Sequence, residues 1–161
     1  MKIALFPGTF DPITNGHIEV ISKGLEIFDK IVIAIGKNSK KQHLFDIELR
    51  KKWIRDSFPN NNAIEIEEYS GLTVDFCNTI GAKFILRGLR NATDFEYEQS
   101  IAHANKELGP QIDTVFILAT PSYSSISSSI VREVIAAGGD YTRFVPSSVR
   151  IDSLKEVGPL K

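Results

Sequence analysis

With 161 residues, 42% of them hydrophobic and 24% charged, the chain has the size and balance of one water-soluble domain, 1–161, able to bury a real core. A formal net charge of −1 gives no basic excess to attract nucleic acid, and the single cysteine, Cys77, excludes an intramolecular disulfide or a thiolate metal cluster. The apolar start, Met1 to Phe6, turns at Pro7 and is too short for a signal peptide or a membrane span, so no membrane partner and a cytoplasmic location are expected.

Strands are predicted at Ile3–Phe6, Ile31–Ile35, Ile64–Tyr69, Phe84–Leu86 and Thr114–Ala119, several of them continuous apolar runs suited to burial on both faces. Helical patterns separate them. The first places Ile18, Ile21, Leu25 and Phe28 on one face. The second starts at Asp46 as N-cap and runs to Phe58, and the third spans Leu72 to Ile80 and stops at Gly81, an expected left-handed cap. Cys77 falls in this apolar helix and reads as a buried, inert thiol. The fourth is predicted to start at Thr93, with Glu96 completing a capping box, and to end before Gly109. The fifth follows a serine cluster and ends at Gly138-Gly139, and a last short helix is expected near Ser148–Glu156.

Strands alternating with helices imply an α/β domain with right-handed crossovers, here a doubly wound five-stranded parallel sheet in the Rossmann-like order 3-2-1-4-5. Ligands of such sheets bind beyond the carboxyl ends of the strands, at the switch point. Thr9 to His17, Lys40-Lys41, Gly71-Leu72-Thr73, Arg87-Gly88-Leu89-Arg90 and Ser122 to Ser129 all fall there. That concentration of Thr, His, Lys, Arg and Ser at one edge points to an anionic, phosphate-bearing ligand.

Each constellation has an ordinary alternative. His17 at a helix start is either a surface residue near a cap or a neutral N–H donor to a phosphoryl oxygen. Arg87 and Arg90, flanking Gly88, fit bidentate phosphate contacts better than a structural salt bridge. Lys40-Lys41 is a solvated pair unless its place after the second strand gives it a ligand. The serine run is either a flexible loop or a second phosphate cradle at a helix start, to which Arg132 would add charge. Glu98 is either an exposed helical carboxylate or an acceptor for an amine or ribose. His43 and His103 have no comparable setting. P-loop, dinucleotide-fingerprint and nucleophile-elbow patterns are absent from the sequence.

These residues resemble the bacterial phosphopantetheine adenylyltransferase family of the nucleotidylyltransferase superfamily. The superfamily's first signature, [HT]-x-G-H, stands as Thr14-Asn15-Gly16-His17, and its second, I-S-S-[ST]-x-x-[RK], as Ile126 to Arg132. The opening PGTFDPxTNGH, the Lys after the second strand and RGLRxxxDFEYE, here Arg87 to Glu98, are features of the subfamily. The resemblance spans nearly the whole chain and is weakest in the last dozen residues. Tyr123 stands where relatives often carry Trp, Thr73 where an aliphatic residue is common, and Gln42-His43 where Lys-Pro is frequent.

The resemblance implies adenylyl transfer from ATP to 4′-phosphopantetheine, giving dephospho-coenzyme A and pyrophosphate by direct attack without a covalent enzyme intermediate. It implies His17 as transition-state stabiliser, with Lys41 and Arg90 completing the catalytic set. Thr9, Lys41, Thr73 and Arg87 would bind the acceptor. Thr9, Phe10, His17, Gly88, Leu89, Arg90, Glu98 and the stretch Tyr123, Ser124, Ser125, Ile126, Ser127, Ser128 and Ser129 would bind ATP. It further implies Mg2+ carried by ATP with no protein metal cage, a homohexamer with Phe95 and Tyr97 at an interface, and feedback by coenzyme A. The alternatives are a nucleotidylyltransferase for another phosphorylated acceptor and a non-catalytic nucleotide-binding regulator.

Overall fold

The computed structural model describes residues 1–37 and 42–151. Its strands are β1 (Ile3–Gly8), β2 (Lys30–Gly36), β3 (Ile64–Tyr69), β4 (Phe84–Leu89) and β5 (Asp113–Leu118). The helices are α1 (Asn15–Leu25), α2 (Ile47–Ser57), α3 (Thr73–Ile80), α4 (Ala92–Leu108) and α5 (Ser128–Ala136). The sheet is parallel throughout, in the predicted order β3-β2-β1-β4-β5.

Period-two alternation divides the core between the two faces. Ala4 and Phe6 of β1 and Ile31, Ile33 and Ile35 of β2 pack with Val20 and Ile21 of α1, Trp53 and Ile54 of α2, and Val131 and Ile135 of α5. Leu5, Val32, Ala34 and Ile85 face the other way, onto Val74 and Cys77 of α3. Close approach of α1 to the sheet depends on Gly88, where a Cβ would come within 2.7 Å of Val20 Cγ2.

The crevice arises from a gap in the ladder. β1 pairs with β2 from Ile3 to Gly8 but with β4 only at Ala4 and Leu5. Beyond Leu5 the two central strands part, and the Pro7 carbonyl is taken by the Arg87 side chain at 2.7 Å. A residue's N–H and C=O share one side of a strand, so the missing Pro7 N–H also faces the gap, where no ladder bond is lost.

Helix ends follow local chemistry, with two corrections. Asp46 caps α2 by accepting from Glu48 N, and Gly81 ends α3 in the left-handed region at φ 69°. The N-cap of α4 is Asn91, whose side chain accepts from Asp94 N at 2.9 Å; Thr93 lies inside the first turn instead. Residues 148–151 are not helical, and Ser148 bonds to Ser57 at 2.7 Å; the remainder of the helix expected to Glu156 lies outside the described residues. Among the described residues no helix is long and apolar enough to cross a membrane.

Candidate active site

The gap between β1 and β4 opens into a cavity of about 980 Å³, within the range for small-molecule sites. Its walls are the β1–α1 loop, the ends of β2 and β3, β4, the inner side of α4 and the start of α5.

His17 is the third residue of α1 and closes a capping box with Thr14. Thr14 N donates to His17 Nδ1 at 3.0 Å, and Thr14 Oγ1 lies 2.9 Å from the same nitrogen. A backbone N–H can only donate, so Nδ1 carries the lone pair and Nε2 carries the proton. Burial, with the guanidiniums of Arg87 and Arg90 nearby, pulls the imidazole down to about 4. His17 in the cavity wall is thus a neutral donor, and the positive end of α1 reinforces that state. The imidazole in the Glu/Gln place of a capping box carries no sequence signal beyond its three-residue spacing from Thr14.

The arginines are held by carboxylates of α4. Arg87 forks onto Glu98, with Nε donating to Oε2 at 2.7 Å and Nη2 to Oε1, while Nη1 reaches Pro7 O. The structural salt bridge ranked second from sequence is therefore present. It leaves one N–H on each terminal nitrogen of Arg87 for a ligand. Glu98 is buried, not exposed, and both its oxygens are engaged. Arg90 forks onto Asp94 at 2.8 and 3.0 Å, which holds the Asp94 carboxyl below its usual range.

The second helix start also faces the cavity. Ser127 caps α5 by accepting from Ile130 N at 3.2 Å, and Ser128 Oγ donates to Pro12 O at 2.8 Å, tying this end to the β1–α1 loop. Of the residues named from the sequence, Thr9, Thr73, Gly88, Leu89, Tyr123, Ile126, Ser127 and Ser128 line the cavity. Ser124, Ser125 and Ser129 do not: Ser124 bonds to Pro121 O, and Ser129 accepts from Arg132. Arg132 also turns away from the cavity and donates to Asp11 O at 2.7 Å. Phe10 does not line the cavity either, and its ring is buried in the core beside His17. Lys40 and Lys41 lie outside the described residues.

Lining residues not foreseen include Tyr69, Tyr97, Ile101 and Asn105. The last three share the inner side of α4, whose weak apolar periodicity hid that role. Asp94 and Glu98 are the only carboxylates among the described lining residues, and each is paired with arginine. Among the described residues no group of three or more metal-ligating side chains is gathered.

A neutral imidazole, two arginines and two helix starts give this switch-point crevice of a Rossmann-like fold the donors and positive charge that suit phosphate groups. The cytidylyltransferase-like family model matches residues 5–134, which places the protein among the nucleotidyltransferases. The phosphopantetheine adenylyltransferase of Flavobacterium psychrophilum is 50% identical over 151 residues, covering 94% of this chain and 99% of the relative. That of Levilactobacillus brevis is 44% identical over 149 residues, covering 92% of each. The chain belongs to the phosphopantetheine adenylyltransferase family and is an enzyme. A solved bifunctional NMN adenylyltransferase/ADP ribose pyrophosphatase from Francisella tularensis shares the fold with TM-score 0.72 at 18% identity, over 92% of this chain and 46% of that one. A structure of that enzyme with AMP and a manganese ion gives TM-score 0.68 at 17% identity, over 98% of this chain and 46% of that one.

Proposed function

We propose that the enzyme transfers the adenylyl group of ATP to 4′-phosphopantetheine, releasing pyrophosphate and dephospho-coenzyme A. The observation that carries the reading is the neutral His17, fixed by Thr14 as an N–H donor beside Arg87 and Arg90. An oxygen of the acceptor phosphate attacks the α-phosphorus of ATP. The bond to the β-phosphate oxygen breaks, and its electron pair leaves with pyrophosphate. His17 Nε2–H donates to a non-bridging α-phosphate oxygen as charge develops there, and the N-terminus of α5 and Arg90 hold the phosphates that leave. Thr9, Lys41 and the remaining N–H groups of Arg87 hold the attacking phosphate in line.

No protein nucleophile is needed. The Cys77 thiol is buried away from the cavity and pushed up to about 11. Magnesium would come with ATP as part of the substrate and would offset charge on its phosphates, since both described carboxylates of the cavity are engaged by arginine. Tyr69, Thr73 and Asn105 add hydroxyl and amide groups to the lining, which suit the amide-bearing pantetheine arm. Coenzyme A shares that arm and competes for the same groups. Phe95 and Tyr97, both exposed on α4, would take part in the contacts of a homohexamer. The reaction belongs to the cytoplasm, where coenzyme A is made.

An acceptor panel tests the reading. With MgATP, the enzyme should convert 4′-phosphopantetheine to a product of the mass of dephospho-coenzyme A and leave nicotinamide mononucleotide and dephosphorylated pantetheine unchanged. Preference for nicotinamide mononucleotide would overturn the choice of acceptor.

A further inference from the structure

Asp11 and Arg50 are each only 3% exposed, yet neither lines the cavity. Burying charge is costly unless it is hydrogen-bonded, and both side chains direct their hydrogen bonds to the backbone of two loops. Asp11 accepts from Leu44 N at 2.9 Å and from Phe45 N at 3.0 Å, one on each carboxylate oxygen. Arg50 donates Nε to Phe45 O at 3.0 Å and Nη1 to Thr9 O at 2.7 Å. Phe45 is thereby gripped at its N–H by the anion and at its C=O by the cation. On the other loop the anchored residues are Thr9 and Asp11, the two neighbours of Phe10.

Phe10 has φ 47°, in the left-handed region that a bulky residue rarely occupies. Such a conformation persists only where its surroundings impose it. Here it turns the ring inward, over Gly8, where a Cβ would meet ring carbons at 2.9 Å. The ring then lies 5.0 Å from the His17 imidazole, centroid to centroid, at 61°. Thr14 anchors the imidazole at Nδ1, and the rings of Phe6 and Phe10 flank it edge-on with centroids 6.2 and 5.0 Å away. Phe10 is the nearer of the two.

We propose that Asp11 and Arg50 are positioning residues that hold Phe10 in its left-handed conformation, so that its ring fixes the direction of His17 Nε2–H. The inference rests on the reading of His17 as phosphoryl donor, but its first readout does not require turnover. Long-range proton–nitrogen spectra of the histidine-labelled full chain, assigned with His17→Gln, report the ring state directly. In Phe10→Leu and in Arg50→Lys, both checked for fold by circular dichroism, the His17 resonances should move and its titration should rise from about 4 toward the ordinary value of 6.5. The same variants should lose about ten- to a hundredfold in kcat, with KM for each substrate changed less than about threefold. His17 resonances and titration that match the unsubstituted enzyme would overturn the proposal, whatever the rate. Should Arg50→Lys fail to fold, Asp11→Asn replaces it, since it removes one of the two grips on the Phe45 loop and keeps the Phe10 ring, and an unmoved His17 signal there overturns the proposal. A shifted His17 signal in an enzyme inactive toward phosphopantetheine would sustain the positioning role and count against the acceptor.

Discussion

His17 Nδ1 accepts the Thr14 backbone N–H at 3.0 Å, and this contact commits the imidazole to the Nε2–H tautomer. Protonating Nδ1 would set two donors against each other and break the capping box of α1. The His17 ring should therefore stay neutral as pH falls through 6.5, the ordinary histidine value, and take up a proton only toward 4, as read by proton–nitrogen spectra. A His17 titration near 6.5 would contradict the tautomer. His17→Ala should lower kcat about a hundred- to a thousandfold with ATP affinity largely kept, as measured by steady-state kinetics and nucleotide titration.

The same shift has a consequence for stability. The folded value lies below the unfolded one, so between about 4 and 6.5 the unfolded chain binds more protons at this residue. The contribution is full above 6.5 and is lost as pH falls toward 4. It amounts to about 3 kcal/mol at most. Urea unfolding at pH 7 and pH 4.5 should show a smaller acid loss for His17→Gln than for the unsubstituted enzyme. Equal losses would contradict the shift.

Gly88 and Gly24 should respond differently to Ala. At Gly88 the new methyl meets Val20 Cγ2 at 2.7 Å, on a branched side chain with little freedom. At Gly24 it meets Ile31 Cδ1 and Leu86 Cδ2, each at 2.8 Å and each the far end of a longer side chain. Gly88→Ala is expected to cost about 2–3 kcal/mol and Gly24→Ala about 1 kcal/mol by chemical denaturation. Val20→Ala should relieve the first and not the second.

Lys41→Ala should raise KM for the acceptor about tenfold or more, consistent with loss of a charged hydrogen bond, while KM for ATP changes little. The reverse pattern in a two-substrate kinetic matrix would move that lysine to the nucleotide.

Cys77 should be inert in the folded enzyme. It is buried, and burial pushes the thiol up to about 11, so little thiolate forms at neutral pH. A disulfide reagent should label one thiol only as the protein unfolds. Rapid labelling of the native enzyme would contradict its burial between α3 and the sheet.

Much of this was legible in the chain. β1 and β2 are apolar runs because both faces of the sheet's centre are covered, and the loops after the strands carry Thr, His, Arg and Ser at the switch point. What stayed hidden depends on partners distant in sequence or on backbone angles. Glu98 reads as an exposed helical carboxylate because its partner, Arg87, comes from a different element. Asp11 and Arg50 are charged types normally found at the surface, and only the meeting of two loops at Phe45 buries them. Phe10 sits in a ligand loop, but its positive φ sends the ring to the core. Asn91 and Thr93 are both good capping types two residues apart, and side-chain geometry alone chose Asn91.

Pyrophosphate release from MgATP, followed with and without 4′-phosphopantetheine, is the most direct test of direct adenylyl transfer. Release should require the acceptor and match dephospho-coenzyme A one for one, with no burst before the acceptor is added. Acceptor-independent release, a stoichiometric burst from ATP alone, or no release with 4′-phosphopantetheine would contradict it.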